Sequence, residues 1–301
     1  MLTGGRGLIG SALRRSLEAR GDRVVEVRRP VVESSTTSSG VLLWDFRSEF
    51  PHLDALEHVD AVIHLAGAGI ADARWTPDRK RMLVESRVRS TEALSVALER
   101  AQRSRAKPFL VASATGFYGH RPGETLDEAS RGGSGFLADL ARAWEGAAKN
   151  ASGRTVHLRF GIVLGERGGA FRRMHWPFRL GLGAVLGSGR QHWSWIGLDD
   201  AVNAITHALD CPTLFGPVNV VTPKPIPNAE FSREIARGLG SQVWFRIPPS
   251  LVRGLFGPMG TELFLADTAA VPARLQSTGF SFLAPSIEAW MRQNVRAGGP
   301  K

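Results

Sequence analysis

The chain opens on Thr3-Gly4-Gly5-Arg6-Gly7-Leu8-Ile9-Gly10, a T-G-x-x-G-x-x-G run leading directly into a helix-forming stretch from Ser11 to Arg20. Few features constrain a fold as tightly. Glycines at this spacing permit a tight turn at Gly4, close backbone approach to an anion at Gly7 and close helix packing at Gly10. The following helix start adds unpaired N–H groups and the positive end of a dipole. Together they describe a pyrophosphate cradle, with candidate contacts from Thr3, Gly4, Arg6, Gly7, Leu8, Ile9 and Gly10. A strand should precede such a loop, and only Met1 and Leu2 are there to form it. The first strand is therefore expected to be truncated, with the natural start further upstream.

The residues after the loop complete a βαβ unit. Gly21-Asp22 stops the helix, and Arg23-Val24-Val25-Glu26-Val27-Arg28 is a short β-branched run. At the end of that strand an NAD site places an acid for the ribose 2′-hydroxyl. This chain offers Arg28 and Arg29, whose planar, multi-donor guanidiniums suit a 2′-phosphate. The expected cofactor is NADP(H) in preference to NAD(H).

Strand and helix patterns then alternate. A Ser/Thr loop over Ser34–Gly40 precedes a third strand at Val41–Trp44. Asp60–Leu65 is an apolar run ending in Ala66-Gly67-Ala68-Gly69, which suits a buried parallel strand whose end, Leu65, Ala66 and Gly67, lies against the cofactor. His64 inside it reads as a core histidine. Asp78–Arg103 is helical, with Val84, Val88, Thr91, Leu94 and Leu98 in one stripe. Arg87 falls inside that stripe, either snorkelling or aimed at an anionic group.

Phe109–Ala112 is the next strand, followed by Ser113-Ala114-Thr115-Gly116-Phe117-Tyr118-Gly119, whose hydroxyls face the crevice at a strand's C-terminal edge. A helix over Phe136–Ala148 and a strand over Thr155–Phe160 continue the alternation. The fold class is thus α/β, a doubly wound parallel sheet covered on both faces. Gly165–Gly189 is glycine-rich and long for a connection, which predicts a lid or binding segment. Gln191–Ile196 alternates as a strand, Asp199–His207 is helical, Pro217–Val221 is a strand and Pro227–Gly238 a helix. A small helical lobe follows Pro248 and ends in Pro285–Gln293.

With 301 residues the chain holds one large α/β domain, alone or with a small lobe. Its net charge of +10 raises a nucleic-acid partner. Lysine occurs only at Lys80, Lys107, Lys149, Lys224 and Lys301, and the arginines are scattered among acids, so no basic tract supports one. No signal peptide and no bilayer-length apolar run are present, which predicts a cytoplasmic protein without a membrane partner. A lone Cys211 excludes an internal disulfide and a cysteine-cluster metal site, and no metal is expected.

Taken together, TGGRGLIG, DAVIHLAGAGI, SATGFYG, the pair Trp144-Glu145, RFGIVLG, GGAF, PFRLGLG, GSGRQHWSWI, NAEF and VPARLQSTGFSF span nearly the whole chain. In these the sequence resembles the atypical sugar-nucleotide-epimerase-like branch of the short-chain dehydrogenase/reductases, whose members carry a small C-terminal domain of unknown function. Some bacterial relatives carry a cell-division-inhibitor label. The resemblance implies an extended Rossmann fold, NADP(H) binding, and a substrate cleft between the sheet and a small, mostly helical C-terminal lobe. The expected organisation is a dinucleotide-binding domain over 1–225, with a substrate-side excursion at 165–195. A C-terminal lobe follows over 226–301, with the tail domain at about 247–295.

Ordinary members use a Tyr-x-x-x-Lys pair, whose lysine lowers the tyrosine pKa while hydride moves to nicotinamide. Here Tyr118 is the sole tyrosine and Pro122 stands four positions on. Counted through Glu145, the expected positions fall on Leu137 and Ala141. The dyad is absent, and Ser113, Thr115 and Tyr118 are the candidate proton-handling residues. For substrate contact the candidates are Arg190, Gln191, Trp193 and Trp195, with Trp75, Arg87 and Arg159 behind them, since guanidiniums grip phosphate or carboxylate and tryptophans stack on rings. Two functions follow. One is an NADP(H)-dependent epimerase-like oxidoreductase acting on a small anionic or nucleotide-linked molecule. The other is a non-catalytic NADP(H) sensor, regulating a partner such as one of cell division.

Overall fold

The computed structural model describes residues 1–30, 40–101, 106–166 and 168–295. Apart from Gly40, the Ser34–Gly40 loop lies outside the described residues, as do the last two positions of the Asp78–Arg103 helix. The central element is a seven-stranded parallel sheet with flanking helices. Strand β1 is Leu2–Thr3, β2 Glu26–Arg28, β3 Val41–Leu43, β4 Val62–His64 and β5 Phe109–Ala114. With Thr155–Phe160 and Gly216–Val220 the spatial order is Gly216–Val220, Thr155–Phe160, β5, β4, β1, β2, β3. The order reverses at β1, and open α/β sheets bind ligands at such a switch point.

Register explains what meets there. Thr3 stands opposite Val27 on one side and His64 on the other, and His64 stands opposite Val111. One step beyond this row, the chain enters the glycine loop after β1, Arg28 on β2, and Leu65 after β4. Three separate stretches of sequence are thus delivered to one edge. The short β1 is fully engaged: Leu2 is buried, and its N–H donates to Val25 O at 2.8 Å.

By contacts the chain divides into two compact units. The first comprises Met1–Ser113, Leu140–Arg159 and Val202–Val218, and contains most of the sheet with α1 (Leu8–Ala19), α2 (Leu53–Glu57) and α3 (Pro77–Ala101). The buried stripe of α3 runs through Leu83, Arg87, Thr91, Leu94 and Leu98 with a 3.6-residue period, so the expected Thr91, Leu94 and Leu98 are in it while Val84 and Val88 are only half-buried beside it.

The second unit comprises Ala114–Asp139, Phe160–Ala201 and Asn219–Lys301. Its core gathers Leu164, Phe171, Phe178, Trp193, Trp195, Phe231, Ile235 and Trp290. Two expectations change here. Gly165–Gly189 is not a loop but carries a helix, Gly169–Arg179, and a strand, Ala184–Leu186. Phe171 and Phe178, two turns apart, bury the same face of that helix, a stripe that the flanking glycines obscure. Gln191–Ile196 is not one strand but two, His192–Trp193 pairing with Ile226–Pro227 and Trp195–Gly197 pairing with Ile162–Leu164.

Candidate functional site: a glycine-lined cleft at the sheet edge

The glycine loop closes on itself through Gly7 N–H donating to Gly4 O at 3.0 Å, and α1 begins with Ser11 N–H bonded to Gly7 O at 2.9 Å. Two of its glycines are required by space. Gly4 has φ +72°, and a Cβ there would lie 2.7 Å from the Leu65 carbonyl carbon. A Cβ on Gly10 would lie 2.2 Å from Gly4 O, so helix and loop touch backbone to backbone. Gly7 differs: a side chain there would meet only Gly4 O, at 3.3 Å. Its free side opens beside the unpaired N–H groups of Leu8, Ile9 and Gly10 in the first turn of α1, which is the cradle that a diphosphate needs.

Thr3 is buried and works behind the loop. Its hydroxyl bonds His64 Nδ1 at 2.7 Å and accepts Ala66 N–H at 3.3 Å, while His64 Nε2 meets Ser90 Oγ at 3.1 Å. Burial lowers the His64 pKa to about 3, so the imidazole is neutral and ties β1, β4 and α3 together.

A cleft of about 470 Å³ opens in front of this edge. Its lining brings together Gly4, Gly5 and Arg6 of the loop, Arg28 and Arg29 at the end of β2, Asp45 and Arg47 of a turn after β3, Ala66, Gly67 and Ala68 after β4, and Glu85 and Ser86 of α3. The Glu26 side chain, 5% exposed, takes a hydrogen bond from Arg28 Nη2 at 2.6 Å, which neutralises the buried carboxylate. Arg29 lies 5.8 Å from the Phe46 ring. Phe46 adopts φ 63°, and the turn is held by Asp45 Oδ1 accepting Arg47 N–H and Ser48 N–H at 2.8 and 2.9 Å. Glu26, Phe46, Arg47 and Ser86 were not singled out from sequence. Asp45-Phe46-Arg47-Ser48 does carry a turn signal, an aspartate three residues before a serine, that points to Arg47.

The first unit also closes a polar cluster at the ends of β5 and Thr155–Phe160. Ser113 Oγ donates to Glu145 Oε1 at 2.7 Å, and Arg159 grips the same carboxylate through Nε at 2.7 Å and Nη2 at 2.8 Å. Arg159 is 3% exposed. Nearby, burial lowers the His157 pKa, and its Nδ1 is enclosed without a hydrogen-bond partner. Arg87 is buried too, donating to Ala68 O at 2.7 Å and Leu83 O at 3.1 Å with its guanidinium 5.0 Å from the Trp144 ring. Burial, with Arg79 nearby, lowers its pKa to about 10. Trp75 is buried, its indole N–H bonded to Ile70 O at 2.9 Å.

In the second unit, Tyr118 is fully buried, its hydroxyl at 2.7 Å from Asn219 Oδ1 and 2.9 Å from Asp127 O. Thr115, at the start of the Thr115–Tyr118 turn, is half-buried. Leu137, where the tyrosine of the dyad is expected, lies over that turn, 3.1 Å from the place of a Cβ on Gly116. Trp193 and Trp195 both belong to the core, Trp193 packing on Phe231 with ring centroids 5.3 Å apart. Gln191 spends its amide on Leu186 O at 2.9 Å and Phe264 O at 3.1 Å. Of the Arg190–Trp195 group, Arg190 alone is exposed. No metal-holding group of His, Cys, Asp or Glu occurs among the described residues.

Sheet order, switch point and glycine loop define a Rossmann-type dinucleotide-binding architecture. More particularly, the chain belongs to the NAD dependent epimerase/dehydratase family, whose model matches residues 1–220; a domain of unknown function, DUF1731, matches residues 247–293. An epimerase family protein of Mycobacterium bovis is 41% identical over 286 residues, covering 93% of this chain and 92% of that one. The crystal structure of the human epimerase family protein SDR39U1 with NADPH is similar at a TM-score of 0.86 and 32% identity, covering 98% of both chains. A nucleoside-diphosphate sugar epimerase from Corynebacterium glutamicum is similar at a TM-score of 0.78 and 30% identity, over 98% of this chain and 57% of that one.

Proposed function

We propose that this chain binds NADP(H) in the cleft at the β1 switch point and uses it as an epimerase-like oxidoreductase on a small anionic or nucleotide-linked substrate. The carrying observation is the arginine end of the cleft. Arg28 and Arg29 at the end of β2 line the cleft together with Arg47, beside Asp45 and Glu85, and Glu26, the buried acid of the lining, is already paired with Arg28. An unphosphorylated ribose offers these cations nothing to neutralise, whereas a 2′-phosphate does. The relative solved with NADPH supports the same choice. Calorimetry with fragments tests it: 2′,5′-ADP is expected to bind at least about tenfold more tightly than 5′-ADP, a difference of about 1.4 kcal/mol. Equal affinities would overturn the preference.

Bound nicotinamide supplies hydride exchange. The chain's own residues must hold the substrate and move its proton, and the surroundings of the three hydroxyl candidates differ. Tyr118 is sealed in the core, and Ser113 commits its proton to a carboxylate, leaving lone pairs for a substrate hydroxyl. Thr115 is half-buried at the first position of the Thr115–Tyr118 turn, and we assign its hydroxyl the direct proton contact.

The burial of Tyr118 also favours a second reading, in which the chain binds NADP(H) as a sensor without turnover. Following NADPH fluorescence against fractionated metabolite pools separates them. Oxidation that Thr115→Val lowers at least tenfold supports catalysis, and tight binding without oxidation across the pools supports the sensor.

A further inference from the structure

The second unit carries an apolar surface that nothing in the cleft accounts for. Trp244, Phe245 and Arg246 are three successive exposed residues, the aromatics at 74% and 54%. Side chains along a strand alternate between its faces, so a strand lying on a core hides every second one. The Phe245–Ile247 strand pairs along its edge with Ala184–Leu186 and hides neither Phe245 nor Arg246, and Trp244 immediately before it is exposed as well. Immediately before that partner strand, the helix Gly169–Arg179 buries Phe171 and Phe178 but leaves Trp176 exposed, followed by Leu180 and Leu182. Leu182 N–H bonds back to Pro177 O at 2.8 Å, and the Ser241 hydroxyl donates to Phe178 O. Both segments therefore belong to one region. Single exposed apolar side chains are ordinary, whereas large ones clustered on neighbouring segments mark a contact surface.

Charge says what the surface meets. Between Gly168 and Leu198 the sequence has no aspartate or glutamate, and none occurs between Ile235 and Thr261. Arg172, Arg179, Arg246 and Arg253 are exposed in these stretches, Arg179 lying 5.9 Å from the Trp176 ring. A protein partner for a surface of one sign would have to present a complementary acidic patch. Along both stretches the exposed charges that flank tryptophan, phenylalanine and leucine are arginines, a composition shared with elements that lie in the headgroup layer of a bilayer.

We propose that this face docks on an anionic lipid surface, its tryptophans and leucines entering the headgroup–acyl boundary and its arginines meeting lipid phosphates. No described helix is long and apolar enough to cross a membrane, which bears on spanning a bilayer and leaves lying on one open.

Flotation with vesicles tests this on the full chain. Binding is expected to vesicles of phosphatidylglycerol and phosphatidylcholine in equal parts, with a blue shift in tryptophan emission, and to weaken as salt is raised. Vesicles of phosphatidylcholine alone should bind at least about tenfold less. Trp176→Ser with Trp244→Ser should lower binding to the anionic vesicles at least tenfold while leaving the thermal melt and the coenzyme titration unchanged. Absence of flotation, equal binding to both vesicle types, or a tryptophan-dependent dimer in light scattering without lipid binding would each overturn the proposal. Because coenzyme titration is read separately, a failure here leaves the cofactor assignment standing.

Discussion

Deleting the Glu145 carboxylate tests whether Arg159 is a structural cation or one reserved for substrate. The two side chains are 13% and 4% exposed, and the carboxylate takes hydrogen bonds from Arg159 Nε, Arg159 Nη2 and Ser113 Oγ. Removing one partner of a buried pair leaves the other charge in a poor solvent and costs about 3–5 kcal/mol. The Ser113 hydroxyl, losing its acceptor, adds about 1 kcal/mol. Glu145→Ala is therefore expected to destabilise by about 4 kcal/mol or more, lowering the melting temperature by roughly 10 °C in a chain of this size. Glu145→Leu with Arg159→Met removes both charges at similar volume and should recover most of that loss. Urea unfolding followed by circular dichroism gives the free energies, with unchanged slopes showing that the same transition is read. If Glu145→Ala costs less than about 1 kcal/mol, or the double variant is worse than the single, the pair is not a closed unit and Arg159 is available to a ligand.

Other outcomes follow from the same geometry. Gly10→Ala places a Cβ against Gly4 O, which cannot yield as a side chain would, so NADPH affinity should fall more than tenfold in fluorescence titration. His64 has a folded pKa of about 3, below the ordinary 6.5, so the unfolded chain binds the extra proton first. Its contribution to stability is complete above about pH 6.5 and is lost at up to about 1.4 kcal/mol per pH unit as pH falls toward 3. Urea midpoints from pH 7 to 4 should show this slope, and His64→Gln should flatten it. Tyr118→Phe leaves Asn219 without its buried donor and should cost about 1–3 kcal/mol by denaturation, with coenzyme affinity unchanged.

Where local chemistry decided the outcome, the sequence carried it. The glycine loop, the burial of Arg87 with Thr91, Leu94 and Leu98 on α3, and the strand Thr155–Phe160 follow from residue spacing, although Leu83 takes the buried place expected of Val84. His64 reads correctly as a core residue because an apolar strand surrounds it. Spacing could not separate a tryptophan that stacks on a ligand from one that packs on Phe231, since both alternate on a strand. Nor could it show that Arg159 is claimed by a glutamate fourteen residues away, because Glu145 lies on the helix before that strand and the pairing is made by tertiary packing that neither element's period encodes. The helix inside Gly165–Gly189 was hidden by glycines that serve as turns at its ends. Arg47 reaches the cleft through the tertiary placement of the Asp45 turn, which no periodicity encodes.

Titrating NADPH and NADH into the protein and its Arg28→Asp variant shows which dinucleotide the sheet edge receives. The unaltered protein should bind NADPH at least about tenfold more tightly than NADH, and the variant should lose NADPH affinity while keeping most of its NADH affinity. Equal affinity for the two coenzymes, or equal losses in the variant, would contradict the account.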